Sequence, residues 1–231
     1  MRYYISDLHF YHDNLNQRMD CRGFESGEAM NAYMIDRWNS RVRKNDEVII
    51  LGDLSVGNAK QTNEILGRLN GTLYLIEGNH DKYLSQPAFY KERFVWIRPY
   101  AEVKDNKRKV ILSHYPIFCY NGQYRENQDG TPHTYMLYGH VHQTFDEYLI
   151  HSFQKQTREC VREVYGKEEK ISIPCHMINC FCMFSDYQPL TLDEWIEVDK
   201  KRRDKLELEM DEKRRNKLDT ELDGKKETCW I

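Results

Sequence analysis

The chain has 231 residues, of which 40% are hydrophobic and 31% charged, and its formal net charge is -3. This length accommodates one globular domain with a full core, and the near-neutral charge disfavours a protein that coats nucleic acid through bulk positive charge. Its apolar runs are far shorter than the roughly 20 residues of a membrane helix, and its first residues turn polar before a signal-peptide core forms, so we expect a cytoplasmic protein without membrane association.

Five short apolar segments, each ending in small or polar residues, predict buried strands. They lie at residues 3–7, 48–53, 73–79, 110–114 and 135–140. Amphipathic helices are predicted between the first three, because apolar residues recur there at helical spacing. These residues are Met30, Met34, Trp38 and Val42 in one segment, and Ile65, Leu66 and Leu69 in the next. The alternation of strands and helices predicts an α/β fold.

The C-terminal third has a different composition. Residues 151–170 mix charged and apolar positions, which favours another helix, and residues 171–184 return to strand-like composition despite Pro174, with Cys180 and Cys182 as core strand residues. From Leu192 the chain is highly charged, which is typical of a long, mostly solvated helix. We therefore predict one domain over residues 1–192 with an insertion at 151–175, and a charged helical extension over 193–231.

Polar side chains able to bind metal follow all five predicted strands. They are Asp7 and His9, then Asp53, then Asn79 with His80 and Asp81, then His114, and finally His140 and His142. Functional groups gather at the carboxyl ends of strands in open α/β sheets, so we expect these side chains to converge. Gly52 and Gly78 precede two of the groups and allow backbone segments to approach closely.

The residue types indicate which ions would bind. Mixed Asp, Asn and His ligands suit Mn, Fe, Zn, Ni or Co, and we favour Mn. Seven of these side chains are candidate ligands, which exceeds the needs of one ion, so two ions that share a carboxylate are the economical arrangement. The seven are Asp7, His9, Asp53, Asn79, His114, His140 and His142. A lone Asp-x-His or Gly-Asp is more often a turn or a helix cap than a ligand pair. Five such fragments, in order and at strand ends, favour the metal site.

The order of these fragments resembles the signature of the calcineurin-like metallophosphoesterase superfamily: Asp-Leu-His, Gly-Asp-Leu, Gly-Asn-His-Asp, Ser-His-Tyr-Pro and Gly-His-Val-His, within residues 7–142. Small prokaryotic and phage members are the most similar, because the first fragment continues as Phe10-Tyr11-His12. The resemblance implies an αββα architecture, in which two packed β-sheets are flanked by helices, with metals at the strand ends. It also implies one metal held by Asp7, His9 and His142, a second held by Asn79, His114 and His140, and Asp53 bridging them.

The implied reaction is hydrolysis of a phosphate ester by a hydroxide that bridges the two metals. His80 would protonate the leaving group as the general acid, and Asp81 would orient its ring. His12 is close enough to the first metal fragment to contact substrate, and Arg125, in the loop before the fifth strand, is a candidate phosphate clamp. Solvent-facing loop positions are the alternative for both.

Several functions remain open. A phosphodiesterase acting on a small diester, a nucleotide or nucleic acid is favoured, and a phosphomonoesterase is its near rival. A noncatalytic metal-binding scaffold on the same fold is disfavoured because His80 is present, and a nucleic-acid-binding protein with an incidental metal site is disfavoured by the charge. For the C-terminal helix a solvated face is favoured, and the alternative is that its apolar residues contact a groove on a partner or form a homo-oligomer. His133, His151 and His176 fit no ligand spacing.

Overall fold

The computed structural model describes residues 1–163, 166, 168, 170–173 and 175–208. In chain order its strands are β1 (Arg2–Ile5), β2 (Glu47–Ile50), β3 (Thr72–Ile76), β4 (Phe94–Arg98), β5 (Tyr100–Asp105), β6 (Arg108–Ser113), β7 (Thr134–Tyr138), β8 (Val161–Glu163), β9 (Lys170–Ser172) and β10 (Met177–Asn179). The α-helices are α1 (Asp13–Gln17), α2 (Gly27–Arg41), α3 (Ala59–Arg68) and α4 (Phe145–Glu159). Residues 192–208 form a further helix, α5.

Two four-stranded sheets form the centre of the fold. The first has the order β1-β2-β3-β4 and is parallel throughout. The second has the order β10-β7-β6-β5, with β5 and β6 antiparallel and the other neighbours parallel. The carboxyl ends of β1, β2 and β3 therefore meet at one edge of the first sheet, and those of β6 and β7 meet at one edge of the second.

Apolar side chains divide among three buried layers. Met30, Trp38 and Ile65 belong to the cluster between the first sheet and the helices α2 and α3. A second cluster fills the space between the sheets, and a third packs α4 against the second sheet. The predicted sandwich of two sheets flanked by helices is confirmed.

The helix ends have local chemical causes. Ser26 caps α2 by accepting a hydrogen bond from the backbone N–H of Ala29, and Asn58 with Gln61 forms a reciprocal capping box at the start of α3. Thr144 caps α4 through the backbone N–H of Asp146, so this helix begins directly after the Gly-His-Val-His segment.

The C-terminal third differs from the prediction. The helix expected over 151–170 begins at Phe145 and ends at Glu159, and β8 and β9 follow it as a separate antiparallel pair. Cys180 directly follows β10, whereas Cys182 begins a short 3-10 helix, Cys182–Ser185, so the expected strand ends sooner. Pro174 lies outside the described residues.

The first turns of α5 belong to the core. Leu192 and Trp195 are buried between the sheets, and the indole Nε1–H of Trp195 donates a 2.8 Å hydrogen bond to the carbonyl oxygen of Tyr4. These turns are therefore packed rather than solvated, since an indole gains most from burial when its N–H has a partner. A domain boundary at residue 192 stays a prediction. Among the described residues, none of the helices has the length and apolarity needed to cross a bilayer.

Candidate metal centre

Five strand ends bring the predicted metal-binding side chains together. Two groups have ligand atoms that all lie within 4.8 Å of one another: a first group of Asp7, His9 and His142, and a second group of Asp53, His114 and His140. The amide oxygen of Asn79 lies 3.0 Å from His114 Nε2 and 3.0 Å from His140 Nδ1, so Asn79 adjoins the second group.

Asp53 lies between the two groups. Its Oδ2 is 3.5 Å from His9 Nε2, in the first group, and 3.4 Å from His114 Nε2, in the second. One carboxylate oxygen thus faces an imidazole of each group. The family resemblance implied a shared ligand at this residue, and that role stays a prediction.

The backbone at these residues is strained. Asp7, His9, Asp53, His140 and His142 have φ angles of 56°, 51°, 53°, 72° and 48°, in the left-handed region that residues other than glycine seldom adopt. Each such residue costs on the order of 1–3 kcal/mol, and the surrounding structure must compensate for it. Backbone strain of this kind concentrates at functional sites. Here the sharp turns of the chain direct the five side chains toward one another.

Backbone hydrogen bonds hold the strained turns in place. The N–H groups of Asp7 and His9 donate to the carbonyl oxygens of Gly52 and Asp53 at 3.1 and 2.9 Å, which joins the loop after β1 to the loop after β2. The N–H of His140 donates to the carboxylate of Asp7 at 2.9 Å. The first and second sheets are therefore joined directly at the site.

Two glycines make the close packing sterically feasible. A Cβ atom at Gly52, whose φ is +89°, would overlap with the imidazole of His114. A Cβ atom at Gly78 would overlap with the carboxylate of Asp53. The expectation that backbone approaches the site closely at these two positions is confirmed.

The donor set fits cations. His142 Nδ1 lies 2.8 Å from Asp20 Oδ1, and His114 Nδ1 lies 2.8 Å from the carbonyl oxygen of Leu51. Both partners only accept hydrogen bonds, so Nδ1 of each ring carries a proton, and Nε2 is the nitrogen that can offer a lone pair to a cation. His142 Nε2 faces His9 Nε2 at 3.1 Å, and His114 Nε2 faces the oxygen of Asn79 at 3.0 Å. A cation or a proton must lie between the two atoms of each of these pairs, because two lone pairs at this distance repel each other.

The electrostatics also favour bound positive charge. Burial opposes ionisation of Asp53, but the hydrogen bond to His114 and the charge of that imidazole outweigh burial and lower the pKa of Asp53 to about 2. Burial also opposes protonation of His114, yet Asp53 and Asp7 outweigh it and raise the pKa of His114 to about 9. Burial lowers the pKa of His9 well below its usual value, which leaves this ring a neutral donor of a lone pair.

His80 and His12 lie at the opening of the site. The imidazole of His80 is exposed, and its ring centroid lies 5.3 Å from that of His9 and 6.3 Å from that of His12. The half-buried ring of His12 lies 5.5 Å from that of His9. Both imidazoles are thus beside the first group and accessible to a substrate.

Asp81 contacts backbone rather than the imidazole of His80. Its buried carboxylate accepts hydrogen bonds from the N–H groups of Asp53, Leu54 and Gly78 at 3.0, 2.8 and 2.8 Å. It therefore connects the loop after β2 to the loop after β3. Among the hydrogen bonds of the described residues, none joins this carboxylate to the ring that it was expected to orient.

The structure does not bring Arg125 to the site. The carbonyl oxygen of Arg125 accepts from His133, whose own carbonyl oxygen accepts from Lys109 at the start of β6. His114 follows the other end of β6, about 16 Å away at ~3.3 Å per residue. The physical reason is that β6 and β7 are parallel. The loop between them must run from the carboxyl end of β6 back to the amino end of β7, and Arg125 lies in the part of the loop close to the amino end of β7.

Sequence reasoning missed three residues near the site. Asp20 contacts His142, and Arg22 contacts Asp20, but both lie in a loop without metal-ligand spacing, so no sequence signal identified them. The ring of Tyr115 lies 4.5 Å from that of His140, and Tyr115 is 49% exposed. Its position directly after His114 in Ser-His-Tyr-Pro is the signal that was available.

Comparisons with known proteins agree with this geometry. A sequence profile described as the Calcineurin-like phosphoesterase superfamily domain matches residues 2–159. The uncharacterized protein MJ1445 of Methanocaldococcus jannaschii is 32% identical over 202 residues, covering 86% of this chain and 91% of that protein. The Gene 66 protein of Mycobacterium phage D29 is 29% identical over 163 residues, covering 61% of this chain and 77% of that protein. The crystal structure of a protein of unknown function, AQ665 from Aquifex aeolicus, matches 86% of this chain and 98% of its own with a TM-score of 0.56 and 22% identity, which shows a shared fold.

Proposed function

The chain belongs to the calcineurin-like phosphoesterase superfamily, and on that basis we propose that it hydrolyses phosphodiesters with two bound divalent metal ions. The family and the two groups of side chains support a metal-dependent phosphoesterase. The observation that carries the proposal is the pair of adjoining groups, with Asp53 Oδ2 within 3.5 Å of an imidazole nitrogen of each.

In this proposal each group holds one ion. Asp7, His9 and His142 bind the first ion, Asn79, His114 and His140 bind the second, and Asp53 bridges them. A set of imidazoles, carboxylates and an amide oxygen without thiolate suits Mn, Fe, Zn, Ni or Co, and Mn is the ion that we propose among them. When bound, the two ions supply a hydroxide nucleophile at neutral pH and neutralise charge on the phosphoryl oxygens.

His80 is proposed as the general acid that protonates the departing oxygen. Support comes from its exposed ring beside the first group and from its backbone N–H, which donates a 2.7 Å hydrogen bond to Asp53 Oδ1. The position of the acid is thereby coupled to the carboxylate between the groups. Asp81 supports the same loop through backbone N–H groups, so its proposed role is to hold the loop rather than the ring. His12, whose ring lies 6.3 Å from that of His80, is proposed to contact the phosphate.

A diester is favoured over a monoester by the surroundings of the second group. A phosphodiester retains one ester substituent on phosphorus during the reaction, and that substituent needs a surface beside the metals. Tyr115 offers an exposed aromatic ring in contact with His140 and His114, at ring-centroid distances of 4.5 and 5.1 Å. An aromatic face of this kind accepts a nucleobase or another planar group by stacking.

The test combines metal content with turnover. Wild type, Asp53→Asn and the control Asp193→Asn are reconstituted with Mn²⁺, analysed for bound metal, and assayed with bis-p-nitrophenyl phosphate and p-nitrophenyl phosphate. Asp193 is the matched control because its side chain is 67% exposed and pairs with Arg108, at the opposite end of β6 from His114. About two metals per chain, with diester hydrolysis that is lost only in Asp53→Asn, is the expected result. Preference for the monoester would overturn the substrate class, and absence of metal after reconstitution would overturn the proposal.

A further inference from the structure

A buried ion pair lies behind the first group. We propose that Asp20 and Arg22 are positioning residues that hold His142 and Asp7 for the first metal ion alone, a role that rests on the proposed two-metal function. Arg22 Nη2 and Nε lie 2.9 and 3.0 Å from Asp20 Oδ2, and the two side chains are 0% and 3% exposed. Burying an ion pair costs free energy unless the remaining donors and acceptors of both side chains are satisfied. The other partners of Asp20 and Arg22 therefore indicate what the pair does.

Asp20 directs the ring of His142. Its second oxygen, Oδ1, accepts the Nδ1–H of His142 at 2.8 Å. The ring of Phe181 stacks on the imidazole of His142 with 4.6 Å between the ring centroids. These contacts define the tautomer and the plane of the imidazole. They turn Nε2 toward Asp7 Oδ1, at 3.7 Å, and toward His9. A carboxylate behind a ligating imidazole also makes it a stronger donor to a metal.

Arg22 supports the other side of the first group through backbone. Its Nη1 donates to the carbonyl oxygen of Leu8 at 2.7 Å, and its Nη2 donates to that of Asp7 at 3.0 Å. These carbonyls belong to the left-handed turn that presents Asp7 and His9. One guanidinium therefore stabilises the strained backbone of two first-group residues while neutralising the carboxylate that holds the third.

The loop that carries the pair is itself anchored. Asn16 in α1 accepts a 2.6 Å hydrogen bond from the N–H of Phe24 and donates a 2.5 Å hydrogen bond to the carbonyl oxygen of the same residue. Asn16 is 5% exposed, so this two-way contact is shielded from water. The loop is thereby closed around Asp20 and Arg22.

The second group is built differently. His114 Nδ1 donates to the neutral backbone carbonyl of Leu51, whereas His142 donates to a carboxylate. Within the described residues, neither Asp20 nor Arg22 forms a hydrogen bond or ion pair with a residue of the second group. Removing the charge of Asp20 should therefore weaken one metal site and leave the other unchanged.

Calorimetric titration of metal-free full-length chain with MnCl₂ tests this asymmetry. Asp20→Asn keeps the shape of the side chain and removes its charge, and Asp193→Asn is the matched exposed control. We expect Asp20→Asn to weaken one of two Mn²⁺ sites about 10- to 100-fold, the range typical of lost partners behind metal ligands, with the other site within twofold of wild type. Arg22→Lys, which keeps the charge and loses the forked contacts, should weaken the same site. Thermal unfolding of the metal-free variants checks that each is folded.

A double-mutant comparison separates positioning from general destabilisation. In a His142→Asn background, Asp20→Asn should weaken Mn²⁺ binding by much less than it does alone, because the ring that it holds is gone and only its pairing with Arg22 remains. Equal weakening of both sites, unchanged affinity at both, or a full effect in the His142→Asn background would overturn the inference. Failure of wild type to bind two ions would instead overturn the proposed function, so the two failures are distinguishable.

Discussion

The backbone N–H of His80 donates a 2.7 Å hydrogen bond to Asp53 Oδ1, while Asp53 Oδ2 faces the imidazoles of His9 and His114. The candidate acid is therefore attached to the candidate bridging ligand through its main chain, and its side chain is free to contact substrate. Removing the imidazole should leave the contact to Asp53 intact.

His80→Ala tests this separation. Turnover should fall about 10²- to 10⁴-fold, the usual contribution of a general acid, while bound Mn²⁺ stays near the wild-type amount. Both are measured on the same reconstituted sample. His133→Ala, which removes an imidazole at the opposite edge of the second sheet, should retain wild-type turnover. Unchanged turnover in His80→Ala would remove this residue from the mechanism.

Gly78→Ala should disrupt the site through steric overlap alone. The added methyl group would meet the carboxylate of Asp53, so we expect loss of bound metal and of turnover. Gly67→Ala is the matched control, because Gly67 lies in α3 with open space around its Cβ position and should gain about 0.5–1 kcal/mol of stability. Elemental analysis and urea unfolding provide the two measurements. Full metal content in Gly78→Ala would contradict this prediction, because it would show that the loop after β3 accommodates the methyl group without displacing Asp53.

Asp199 should make stability depend on pH. Burial raises its pKa from the usual 3.8 to about 6, although Arg203 and Arg202 oppose the shift. Between about pH 4 and pH 6 the folded state then binds more protons than the unfolded state, so this residue lowers the free energy of unfolding as pH rises. The loss reaches at most about 3 kcal/mol above pH 6.

Asp199→Asn should remove that dependence. Relative to wild type, the variant should become progressively more stable from pH 4 to pH 7, as measured by urea unfolding at several pH values. Asp193→Asn, a change at an exposed acid, should run parallel to wild type. A constant difference between Asp199→Asn and wild type across this range would contradict the prediction.

Trp195→Ala should destabilise the whole domain. The side chain is 0% exposed and lies between the two sheets, and replacing a buried Trp by Ala typically costs 3–5 kcal/mol. Leu208→Ala, on the same helix at 67% exposure, should change stability by less than about 0.5 kcal/mol. Chemical unfolding of the three proteins decides the question, and equal stability of the two variants would show that α5 is separable from the core.

The strands that carry the site were accessible from the sequence because each is buried on both faces. A continuous apolar run ending at a polar residue identifies such a strand, and all five predicted runs correspond to β1, β2, β3, β6 and β7. The edge strands β4 and β5 were not predicted, and each mixes buried and exposed positions, with Val95 60% and Tyr100 40% exposed. These two strands lack the burial on both faces that marks the five predicted ones.

The order of the polar fragments and their placement at strand ends were predictable, because both depend on local pattern and on spacing along the chain. Which residues support these fragments became visible in the three-dimensional packing alone. Asp20 reaches His142 across 122 positions, and Arg125 is carried away from the site by the return of the chain between two parallel strands. Such contacts depend on how separate segments pack together, and no local periodicity records that packing.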